Sequence, residues 1–138
     1  MGDFRWLESM SVGVDEFDSD HKRCIALLDE IRTALGEGRL SEARETSQAL
    51  LHLVEDHVCR EEAFLQRLGY PNTETVINAQ KDSMARIKAV SEMIVERPQD
   101  AGVFVTTMQN AVIAYLLRAD INFKSFVQAV GLARLAKE

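Results

Sequence analysis

In the run His57-Val58-Cys59-Arg60-Glu61-Glu62, an imidazole stands four residues before a carboxylate. Positions i and i+4 share a helix face, so His57 and Glu61 can converge on one ion. The flanking apolar residues Leu50, Val54, Phe64/Leu65 and Leu68 place the pair on the stripe that a helix buries. A buried ionised carboxylate is costly unless a cation or a hydrogen bond compensates it. The pair therefore predicts a buried polar site, and the rest of the chain must supply its remaining members.

Four helical segments are predicted at about 19–36, 41–68, 73–97 and 100–128, after an irregular arm over about 1–17 that carries Phe4, Trp6 and Leu7. Asp18 or Ser19 should cap the first helix and Gly36 should end it. Ser41 should cap the second, which runs to Gly69 with Pro71 beyond. The third starts after Asn72 or Thr73 and stops before Pro98, and the fourth starts near Asp100. Inward stripes are His21, Cys24/Ile25, Leu28, Ile31 and Leu35 on the first; Val76, Gln80, Met84, Ile87 and Ile94 on the third; and Phe104, Met108, Ala111/Val112, Tyr115 and Ala119 on the fourth. Phe123, Phe126 and Val127 continue the packing. Short connections favour an all-α, antiparallel up-down-up-down four-helix bundle, in which sites are built from side chains on facing helices. The inward polar set is then His21, His57, Glu61, Gln80 and Tyr115, with Asp120 near the end of the fourth helix.

A chain of 138 residues fits one domain able to bury a core without cross-links. The net charge of -6, with lysines and arginines scattered, argues against a nucleic-acid partner. Met1 to Phe17 lacks the pattern of a signal peptide and no apolar run is long enough to span a bilayer, so the expectation is a cytoplasmic chain with no membrane partner. Cys24 and Cys59 form no CxxC pair and read as reduced thiols, Cys24 in the core. His52 falls off the stripe and should be solvated, and Met84, Met93 and Met108 read as core. No Ser/His/Asp triad or phosphate-binding glycine loop is apparent, which leaves little support for other enzyme classes.

The motifs resemble those of the bacterial hemerythrins. Ser11-Val12-Gly13-Val14-Asp15 followed by Asp18-Ser19-Asp20-His21-Lys22 is similar to the family's opening segment. His57 to Leu65 resembles its HFxxEExxM motif, departing at Val58 and Leu65, and Gly69-Tyr70-Pro71 matches the turn that follows. Ala119-Asp120-Ile121-Asn122-Phe123-Lys124 is similar to the segment holding the last carboxylate ligand. The resemblance implies a non-haem di-iron centre that binds dioxygen reversibly. In it Glu61 and Asp120 would bridge two irons, His21 and His57 would complete one iron, and three histidines would hold the other. The positions for those three hold Val76, Gln80 and Tyr115.

One iron's ligands and both bridging carboxylates are thus retained while the other iron's histidines are all replaced. In the family each iron gives one electron to dioxygen, so carriage by that route needs both. Three arrangements are open to the residues present. One ion could be held by His21, His57, Glu61 and Asp120, a set that contains the two histidines and one carboxylate of non-haem iron and would also suit manganese or zinc. Tyr115 and Gln80 could retain a second metal as substituted ligands. The site could instead be a metal-free polar network. The expected function is metal- or oxygen-related binding or sensing, with dioxygen or peroxide as small-molecule partner. The alternatives are a metal-free helical interaction module and a non-haem iron enzyme.

Overall fold

Helix α1 (Asp15–Gly36), α2 (Leu40–Leu68), α3 (Thr73–Glu96) and α4 (Ala101–Leu117) follow one another through short connections. The structure, a computed structural model, describes residues 15–96, 101–117 and 129. The predicted arm with Phe4, Trp6 and Leu7, the residue Asp120 and the apolar group Phe123, Phe126 and Val127 lie outside the described residues, as does the side chain of Tyr115. Each helix packs on its neighbour in sequence, and α1 also meets α4. Short links between packed neighbours make an antiparallel four-helix bundle, as the apolar periodicity predicts.

The ends of the helices show where local chemistry decides. Helix α1 begins at Asp15, ahead of the expected cap, so Asp18 and Ser19 lie inside it. Asp15, Glu16 and Asp18 occupy its first turn, where carboxylates meet the positive end of the helix dipole. It ends at Gly36, as expected. The left-handed residue is Gly38 (φ 74°), not Gly36, with Gly38 N–H donating to Leu35 O and Arg39 N–H to Ala34 O. This Schellman turn satisfies two carbonyls that the helix leaves open. The same turn closes α2, where Gly69 (φ 72°) donates to Gln66 O and Tyr70 N–H to Leu65 O.

Ser41 is not the cap of α2. Arg39 holds that position without a side-chain cap bond, and its carbonyl accepts from Ala43 N–H. Helix α3 starts where Asn72 O accepts from Val76 N–H.

Ile31, Leu50, Leu65, Ile87 and Met108 are fully buried where the helices meet. Burying one such side chain contributes about 1.5–3 kcal/mol, which makes these residues the main anchors of the bundle along its length. Leu28 and Ile31 on α1, Leu50 and Val54 on α2, Ile87 and Ile94 on α3, and Phe104 and Met108 on α4 follow the predicted stripes. Met93 departs from expectation: it is exposed on α3, because it lies about 90° around the helix from the buried line of Ile87, Val90 and Ile94.

Candidate metal centre

Besides two buried serines, Ser47 and Ser83, four larger polar side chains with almost no exposure interrupt this core: His21 (1%), His57 (0%), Glu61 (1%) and Gln80 (0%). Helix α1 brings His21, α2 brings His57 and Glu61 one turn apart, and α3 brings Gln80 across from them. The imidazole rings of His21 and His57 lie 4.8 Å apart. His57 Nε2 lies 2.8 Å from Glu61 Oε2, and the Gln80 amide donates to Glu61 Oε1 and Oε2 at 3.2 and 3.1 Å. Every described member of the predicted inward set therefore meets at one level of the bundle. Phe17 seals the edge of the site, its ring standing edge-on to His57 at 5.0 Å and to Phe64 at 5.2 Å.

Asp20 joins this set although the sequence reading did not select it. His57 Nδ1 lies 2.7 Å from Asp20 Oδ2, and Arg60 Nη2 donates to the same oxygen at 2.7 Å. Arg60 is held in turn by Asp56 (Nε to Oδ2, 2.8 Å) and by Glu16 (Nη1 to Oε1, 2.5 Å). Asp20 immediately precedes His21, and Arg60 immediately precedes Glu61. Only the approach of α1 to α2 shows that they meet.

Electrostatics divides the two histidines. Burial alone would lower the His57 pKa, but the hydrogen bonds and charges of Glu61 and Asp20 outweigh it and hold it above the ordinary value. His21 is pulled down to about 4, first by burial and then by the neighbouring His57, against the weaker pull of Asp18 and Asp20. Glu61 and Asp20 thus favour the charged form of His57, whereas His21 is a neutral imidazole at neutral pH. Burial, with Asp20 adding, pushes the Cys24 thiol up to about 12, which keeps it a protonated core residue. His52 and Cys59 are exposed and take no part.

Val76 is buried and offers no donor atom, and Gln80 turns N–H toward Glu61. Gln80 Oε1 has no hydrogen-bond partner among the described residues. Also among the described residues, no group of three or more His, Cys, Asp or Glu side chains is placed so as to hold a metal ion.

Residues 12–119 match the family described as the hemerythrin HHE cation binding domain. The chain belongs to the hemerythrin family. Its function is therefore cation binding in the general sense that this description carries, on a hemerythrin-like four-helix bundle. No curated protein and no solved structure matches the chain. Among its described residues no helix is long and apolar enough to cross a membrane.

Proposed function

We propose that this hemerythrin-like chain holds one non-haem metal ion, iron before manganese or zinc, through His21, His57, Glu61 and Asp120. Its role is then metal- or oxygen-related binding or sensing, not dioxygen carriage by a two-iron route. The observation that carries the reading is the Gln80 amide on Glu61. It supports a single ion because a neutral donor meets the α3 side of the carboxylate, while the α2 side faces His57, which can exchange its proton for an ion. The buried imidazoles of His21 and His57 beside Glu61 supply nitrogen and oxygen donors of the kind that non-haem iron takes.

When bound, such an ion supplies an open coordination position for a small oxygen ligand. The chain's own residues do the rest. Glu61 offers the balancing negative charge, His57 gives up the proton it shares with Glu61, and Phe17 limits water at the edge. Because the ligands must be deprotonated, binding releases protons and is coupled to folding.

The test is metal analysis after anaerobic reconstitution with ferrous iron. The expected result is close to one iron per chain, lost together with its contribution to thermal stability in His57→Ala. A value near two supports the substituted di-metal centre using Tyr115 and Gln80, and a value near zero overturns the reading. The zero outcome has its own supporting observation in the closed His57, Glu61 and Gln80 hydrogen bonds, which suit a metal-free core network in a helical interaction module.

A further inference from the structure

His57 has two ring nitrogens, and the reading above assigns a task to one of them. Nε2 faces Glu61 and Nδ1 faces Asp20. For an imidazole buried to this degree, which nitrogen is free for an ion depends on what holds the other. We propose that Asp20 is a positioning residue for His57, fixing the ring so that Nδ1 keeps its proton and Nε2 is presented to the ion. Arg60 holds Asp20 in place for that task. This inference rests on the single-ion reading.

The geometry carries the assignment. Asp20 Oδ2 accepts from both His57 Nδ1 and Arg60 Nη2, each at 2.7 Å, so the carboxylate is fixed from two directions. Charge-assisted bonds of this length are the stronger class of hydrogen bond. Arg60 is also bonded at Nε by Asp56 and at Nη1 by Glu16, both exposed partners. The result is a continuous bridge from a partly exposed guanidinium, through a carboxylate at 15% exposure, to an imidazole at 0%. Carboxylate partners of ligating histidines set ring orientation and raise ligand basicity, and their loss commonly lowers metal affinity about 10–100-fold.

Zinc is a suitable probe, its affinity measured by competition with a chromophoric chelator. In the zinc-loaded wild-type protein, imidazole nitrogen-15 shifts should place the remaining His57 proton on Nδ1. Asp20→Ala should weaken zinc binding by about 10–100-fold and lose that single tautomer. Asp20→Asn keeps an acceptor oxygen of the same shape, so it should retain the Nδ1 proton and recover part of the affinity. The unfolding midpoint of each metal-free variant separates packing from positioning. Variants that melt earlier yet bind zinc as tightly as wild type, with the tautomer unchanged, overturn the proposal and leave the single-ion reading standing. A well-folded wild-type protein that takes up no zinc overturns both.

Discussion

At Gln80 a neutral amide meets a buried carboxylate from the α3 side, contributing two N–H contacts to Glu61. Replacing Gln80 by leucine, similar in volume but without donors, should cost the metal-free protein about 1–3 kcal/mol, because Glu61 then loses part of its compensation inside the core. Urea unfolding would measure it. The ferrous-loaded protein should lose less, since a cation compensates Glu61 directly. An equal loss in both states would count against an ion on Glu61. His57, Glu61 and Gln80 were legible because each is a polar residue on an otherwise apolar stripe. Asp20 was not, because its partner His57 lies 37 residues away on another helix. The position beside His21 looks like the flank of a helix until α1 and α2 are set together. Tyr115 rests on the stripe of the fourth helix, and Asp120 on motif spacing alone.

At the scale of elements, the two glycines that close α1 make opposite demands. Gly36 is helical and a Cβ built there meets nothing within 4 Å, so Gly36→Ala should stabilise by about 0.5 kcal/mol through helix propensity. Gly38 sits at φ 74°, where a side chain strains the backbone, so Gly38→Ala should destabilise by about 1 kcal/mol. Thermal melts of the two variants should therefore shift in opposite directions. The sequence placed the helix end at Gly36, as found, but did not show that Gly38 takes the left-handed conformation, since composition shows which residues tolerate such a turn and not which one adopts it. The same limit explains Ser41. Its type suits a cap, yet the Schellman turn at Gly38 makes Arg39 the residue that opens α2.

For the whole molecule, the two histidines make stability depend on pH in opposite senses. His57 holds its proton more tightly in the fold, so its contribution is fully present below the unfolded histidine pKa and fades as pH rises through its elevated folded value. His21, lowered to about 4, resists protonation in the fold while the unfolded chain takes the proton up near the ordinary histidine value. Its effect is a loss of stability as pH falls from there toward 4, at up to about 1.4 kcal/mol per pH unit. The metal-free protein should thus be most stable close to the ordinary histidine pKa, a maximum that urea titrations across pH 4 to 9 would locate. Saturating ferrous iron should move the maximum upward, because the bound ion and the proton compete for the same nitrogens. A maximum that ignores iron would favour the metal-free network.

The bridge through Arg60 also spans two solvation regimes. Its outer pair with Glu16, whose side chain is 62% exposed, is open to dissolved ions, whereas the contact of Asp20 with His57 is largely shielded. Mobile ions screen exposed charges within about 10 Å at ordinary ionic strength and reach buried ones far less. Raising salt should therefore slacken the first turn of α1 before it disturbs the histidine, so the protein's surroundings can reach the edge of the site without touching its centre.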